Sequence, residues 1–142
     1  MQSQNYSSHR RFVPLYHFFT LLGIIVLLIG SVINLVKSSA ENQYNASLLV
    51  FGSLLLMFAA FYARSFALIA QDRAIKAEEN FRHYLLTGKA LDSKLTVRQI
   101  IGLRFAPDEE FPELAKKAVA ENLSENAIKK SIKNWKEDNY RV

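Results

Sequence analysis

The chain has no cysteine, and that absence removes a disulfide framework, a thiolate metal site and a cysteine nucleophile together. Glycine and proline are scarce, with five and three residues in 142. No glycine-rich loop is present to cradle a phosphate, and no Gly-x-Ser-x-Gly elbow to raise a serine nucleophile. Hydrolase and nucleotidase readings therefore have no positive support. Between Leu48 and Leu86 there is no proline, and the one glycine, Gly52, lies near the start, so nothing interrupts a helix there.

Charge is missing from half of the chain. Residues 71–142 hold 14 of the 18 Lys and Arg and 12 of the 13 Asp and Glu, a balance of +2. Met1 to Ala70 is apolar. At 142 residues the chain has room for one membrane anchor and one small soluble unit, but not for a multi-domain enzyme. The overall +5 owes as much to Arg10, Arg11 and Arg64, placed at the edges of apolar stretches, as to the polar half. These are topology signals rather than a nucleic-acid footprint, and nucleic acid is not the expected partner.

What is present is apolar length. Phe18 to Val36 is 19 residues without a charge, about 28 Å of helix, close to the hydrocarbon thickness of a bilayer. Tyr44 to Ala63 supplies 20 more, then Arg64 interrupts and Ser65 to Ala70 resumes. The reading is a hairpin over 12–70, with spans at about 12–36 and 44–70. Arg64 sets depth by lying along the apolar layer with its guanidinium at the headgroups, the alternative being a buried functional charge. Tyr16, His17, Tyr44 and Tyr62 form an interfacial belt. Basic flanks on both sides, against one Lys and one Glu between the spans, place both termini in the cytoplasm. A cleaved signal sequence ending near Ser38-Ser39-Ala40 is the rival, opposed by the length of the first stretch. Asn45-Ala46-Ser47 matches a glycosylation sequon, a short pattern without further support.

Within the hairpin, Thr20, Gly23, Leu27, Gly30 and Asn34 recur at steps of three and four, and the second span offers Gly52, Ser53, Ala59 and Ala60. These small residues predict close packing. Asn34 would serve as a hydrogen-bonding contact or line a polar path with Ser31 and Thr20.

The second span carries a longer pattern. From Leu56 onward, Ala60, Ala63, Ala67, Ala70, Ala74, Ala77, Phe81 and Tyr84 alternate at steps of three and four residues, a heptad seam. It continues into Gln71-Asp72-Arg73, too polar for a bilayer interior, so one helix crosses the membrane surface unbroken. Asp72 with Lys76 and Glu78 with Arg82 are acid-before-base pairs four apart that support its solvated part. Thr87-Gly88 ends it.

After Gly88 three short helices are expected. Thr96-Val97-Arg98-Gln99 is a capping box opening a stretch that runs to Ala106-Pro107. The second begins at Asp108 or at Pro112, with Leu114, Ala115, Ala118 and Val119 as its buried stripe. Ser124 caps the third, with Ala127, Ile128, Ile132 and Trp135 inward and a basic face of Lys129, Lys130, Lys133 and Lys136 outward. The fold class is therefore all-α: a cytoplasmic tail over 1–11, a transmembrane hairpin over 12–70 whose second helix emerges, and a helical domain over 71–142.

Ala70-Gln71-Asp72-Arg73-Ala74, Ala77-Glu78-Glu79-Asn80, Leu86-Thr87-Gly88-Lys89, Leu95 to Phe111 and Ile132-Lys133-Asn134-Trp135 resemble a family of small two-span bacterial membrane proteins classed as a domain of unknown function. The resemblance implies a bacterial inner-membrane protein. It carries no activity, ligand or catalytic residue with it.

Three local patterns invite chemistry. Glu79 and His83 are four apart, but the di-iron arrangement wants Glu and His three apart, and Asn80 stands there; a surface ion pair is the plainer reading. Glu113 to Trp135 has the layout of a helix-turn-helix, yet Lys117 and Glu121 fall where buried residues are wanted. The lysine face is read as solvated, or as facing anionic headgroups at about 1 kcal/mol per charge. No catalytic residue, metal or cofactor is expected. The expected function is a non-enzymatic inner-membrane assembly subunit, in contact with membrane lipids and forming a homo-oligomer or joining a larger membrane complex. A transporter or channel component, and a membrane-tethered binder of nucleic acid or anionic lipid, are the alternatives.

Overall fold

The computed structural model describes residues 5–6 and 13–138. The tail expected over 1–11 falls almost wholly outside them. The described residues are helical, without strands. A π-helical segment at Leu15–Thr20 leads into α1 (Leu21–Lys37), followed by α2 (Gln43–Thr87), α3 (Val97–Leu103), α4 (Phe111–Ala120) and α5 (Glu125–Ser131). The chain divides into two compact units, one ending at Ala67 and one containing Leu68 onward, with α2 contributing to both.

In the first unit, Leu15–Lys37 and α2 are each long and apolar enough to cross a membrane, and few of their residues are buried. Their apolar side chains thus face outward instead of filling a soluble core. The hairpin is not held by the small-residue stripe expected in α1. Gly23, Leu27, Gly30 and Asn34 are exposed, and a Cβ added at Gly23 or Gly30 would meet nothing within 4 Å. The inward stripe runs instead through Ile24, Leu28, Ser31 and Leu35, one step round the helix. Ser31 is buried with its hydroxyl 3.3 Å from that of Ser53. Each hydroxyl also has a carbonyl of its own helix, Leu28 at 2.9 Å and Leu49 at 2.7 Å, so neither needs a water-lined path. Near the other end, Tyr16 Oη donates to the Ala60 carbonyl at 2.7 Å.

The second unit is built on the C-terminal part of α2. Glycine ends that helix as expected: Gly88 has φ +72°, in the left-handed region, and its N–H reaches the Tyr84 carbonyl at 2.8 Å. The capping box of α3 is complete, with Gln99 N donating to Thr96 Oγ1 at 3.3 Å and Thr96 N to Gln99 Oε1 at 2.8 Å. The helix stops at Leu103, short of the expected Ala106-Pro107. The second short helix starts at Phe111 with Pro112 in its first turn, which decides between the two boundaries. Ser124 caps α5 by accepting from Ala127 N at 3.2 Å.

α5 ends at Ser131, before Ile132 and Trp135, which had been expected on its inner face. The chain turns extended at Ile132 (ψ 124°) and runs back across the unit. Both side chains still pack inward, Ile132 within the core and Trp135 against it. The core centres on Leu103, Phe105, Ala106, Phe111, Ala118 and Ile128, all fully buried, with Ile75 of α2 among their neighbours. Gly102 lets α3 and α5 meet closely, since a Cβ there would lie 3.1 Å from the Glu125 carbonyl oxygen and 3.3 Å from Ile128 Cγ2.

Candidate functional site

The eight residues of the seam are found on α2, and most have no cover among the described residues. Ala60 and Ala67 are half-buried, whereas Ala63, Ala70, Ala74 and Ala77 are exposed, and Phe81 and Tyr84 are 62% and 55% exposed. Within the second unit, the face of α2 that meets the short helices carries Ile75, Glu79, Arg82 and His83. At 100° per residue these lie about opposite Ala70, Ala74, Ala77, Phe81 and Tyr84. The short helices therefore leave this half of the seam open. The spacing was legible, but which side the bundle takes depends on residues distant in sequence.

The covered face holds a cluster of buried charge that local pattern did not reveal. Glu79 is 8% exposed and His83 9%, so they are not the surface pair expected from their spacing. Each has a different partner. Arg82 Nη1 donates to Glu79 Oε2 at 3.0 Å, while Arg82 Nη2 donates to the Ala106 carbonyl at 2.8 Å and Nε to Asp108 Oδ1 at 2.6 Å. The guanidinium also sits 4.5 Å from the Phe111 ring centroid. Glu78, expected to pair with Arg82, gives way to Glu79 because the covered face turns Arg82 toward Asp108 and Ala106. Burial raises the Glu79 carboxyl above its ordinary value, and the Arg82 charge opposes the rise. His83 donates from Nδ1 to the Lys89 carbonyl at 2.7 Å and meets Phe111 edge-on. Among the described residues no group of three or more His, Cys, Asp or Glu is placed to hold a metal.

A second cluster involves the extended segment after α5. Arg104 Nε lies 3.1 Å from Asp138 Oδ2, an ion pair in which the N–H is not aimed at the oxygen, and its guanidinium covers the Phe105 ring at 4.6 Å. Burial lowers the Arg104 value while Asp138 opposes the shift. Glu110 accepts from Lys133 N at 3.0 Å and from Asn134 N and Nδ2, both at 3.1 Å. Trp135 stacks on Phe105 with centroids 4.9 Å apart.

The basic face is narrower than expected. Lys130, Lys133 and Lys136 are exposed, but Lys129 is 6% exposed, with Nζ 2.6 Å from Glu125 Oε1 and 5.4 Å from the Phe105 centroid. It is a core cation, because Glu125 one turn earlier and the Phe105 face draw it inward. Lys117 and Glu121 remain exposed as a 4.0 Å pair. Of the interfacial residues, Tyr44 and Tyr62 are exposed, with Tyr62 packed on Phe66 at 5.6 Å. Arg64, Tyr16 and His17 are half-buried, and His17 Nδ1 lies 3.0 Å from the Val13 carbonyl oxygen.

These features define an all-α protein with two helices apolar enough to span a membrane and a small helical unit built on the second. The whole chain, residues 1–142, matches a family model described as a family of unknown function (DUF6526), and the protein belongs to that family. No curated protein and no solved structure matches it.

Proposed function

We propose that the chain is a non-enzymatic integral protein of the bacterial inner membrane, with two spans and both termini in the cytoplasm, acting as an assembly subunit that self-associates through the seam on α2. One observation carries this reading. The short helices cover the opposite face of α2, leaving Ala70, Ala74, Ala77, Phe81 and Tyr84 open along one line. Methyl-sized side chains permit the close backbone approach that favours helix pairing, and the two aromatics supply area where the helix is polar elsewhere.

The test is the mass of the detergent-extracted protein by light scattering, for the wild type and for Ala70→Phe and Ala74→Leu. Wild type should be oligomeric and both variants should shift toward the monomer. A monomeric wild type, or variants of unchanged mass, would defeat self-association. The alternative of a transport path has less support, since Ser31 is engaged with Ser53 while Asn34 faces outward. A nucleic-acid or lipid-binding lysine helix loses Lys129 to the core.

A further inference from the structure

A cavity of about 590 Å³ opens in the second unit between the end of α2, the connection that follows it and α4. His83, Leu91, Leu95, Ala115 and Val119 line it, with Lys89, Lys116 and Asp92 also at the wall. Its size is that of a small-molecule site, and its wall is more apolar than polar, with His83, Thr87, Lys89, Asp92 and Lys116 as the polar residues.

The polar groups can be sorted by what already occupies them. His83 Nδ1 is held by the Lys89 carbonyl, which leaves Nε2 as the ring atom available to a ligand. Thr87 Oγ1 donates to the His83 carbonyl at 2.8 Å and accepts from Lys89 N at 3.2 Å. Asp92 Oδ1 accepts from Lys94 N at 2.9 Å in its own turn. Lys116 pairs with Glu113 at 2.6 Å, but both side chains are largely in solvent, so that pair is exchangeable at little cost. Lys89 and Lys116 stand in the lining against one carboxylate, Asp92, so a wall with an excess of one positive charge adjoins an aliphatic surface and suits one anionic group joined to an apolar body. A nucleotide fits poorly, for the cavity offers neither a glycine-rich cradle nor an arginine.

We propose that this cavity binds a single-chain carboxylate amphiphile, a fatty acid, with its chain against Leu91, Leu95, Ala115 and Val119 and its carboxylate at Lys89 and Lys116. The site is independent of the seam and of any self-association. Two lysines supply charge complementarity without the arginine fork that would favour a phosphate.

The full chain in phosphatidylcholine nanodiscs would be photolabelled with dodecanoic acid carrying a diazirine at its methyl end, and the labelled peptides mapped by mass spectrometry. Label is expected in the peptides around Leu91 to Leu95 and Ala115 to Val119, competed by dodecanoate and much less by dodecanol. The Lys89→Glu, Lys116→Glu double variant changes only exposed side chains and should lose about tenfold in labelling, equivalent to about 1.4 kcal/mol. Val119→Phe should block the cavity with Trp135 fluorescence unchanged. Label confined to the spans, equal competition by dodecanol, or full labelling of the double variant would each overturn the proposal.

Discussion

Arg82 on α2 and Asp108, 26 residues later and just before α4, are joined by a 2.6 Å hydrogen bond from Nε to Oδ1. Through the same guanidinium Arg82 also holds Glu79 and the Ala106 carbonyl, so one side chain ties the long helix to the connection between α3 and α4. The two partners differ in exposure, and so should their replacements. Arg82→Met leaves Glu79 buried without its cation and should cost about 3–5 kcal/mol. Asp108 is 58% exposed, and Asp108→Asn should cost less than about 1 kcal/mol. Urea titration of the full chain in detergent, followed by the fluorescence of its single tryptophan, measures both. Equal losses would show that the buried pair is not what separates them.

Glu79 gives the unit a defined pH response. Its carboxyl titrates above the ordinary value in the folded chain because of burial, so between the ordinary and the raised value the folded state holds more protons than the unfolded one. Stability from this group therefore falls as pH rises through that interval and is flat above it. In Glu79→Gln the fall is removed. The stability difference, variant minus wild type, should climb with pH through the interval and then level off. A difference that does not change with pH would contradict the assignment.

Two glycines should respond to alanine for different reasons. At Gly88 a Cβ meets nothing, but φ is +72°, and Gly88→Ala should cost about 1–2 kcal/mol of backbone strain. Gly102 is helical and its cost is steric. A Cβ there presses on the Glu125 carbonyl and Ile128, so Gly102→Ala should cost about 1–3 kcal/mol by separating α3 from α5. Ile128→Ala, which removes Cγ2, should show a favourable coupling with the second change and none with the first. Double-variant unfolding curves test that distinction.

Glu110 fastens the extended segment with three accepted hydrogen bonds, so Glu110→Ala should loosen it without melting the helices. The expected loss is about 1–3 kcal/mol. Trp135 should shift to longer emission wavelength while helix content by circular dichroism stays constant. Loss of both signals together would mean that the segment and the helices form one cooperative piece.

How much of this was legible depended on the range of the interaction. Thr96 with Gln99, Ser124 with Ala127, and Gly88 after Thr87 declare themselves within three or four residues, and each end formed where its pattern stood. Pro112 was an adequate signal for the start of α4 once Asp108 was engaged by Arg82. The inner stripe of α1 was misplaced because Gly and Ser are both small, and only the meeting of Ser31 with Ser53 selects the register. Amphipathic patterning points Lys129 outward with its neighbours. Its burial needs Phe105, 24 residues away, to offer a ring. Arg82 could have been singled out only by asking why a cation shares a helix face with Ile75 and Glu79. The seam was visible as spacing, but that the short helices leave its outer half uncovered follows from where Phe111 and Asp108 are brought.

The strap formed by Ile132 to Asp138 also sets an order of events. The core keeps Phe105 capped by Trp135 and Arg104 facing Asp138, so it is incomplete until that stretch has left the ribosome. Both apolar helices are made well before then, and domains form as units in the order of synthesis. On this arrangement both apolar helices are complete while the following helices are still an open set. The stretch that closes them is translated after α3, α4 and α5.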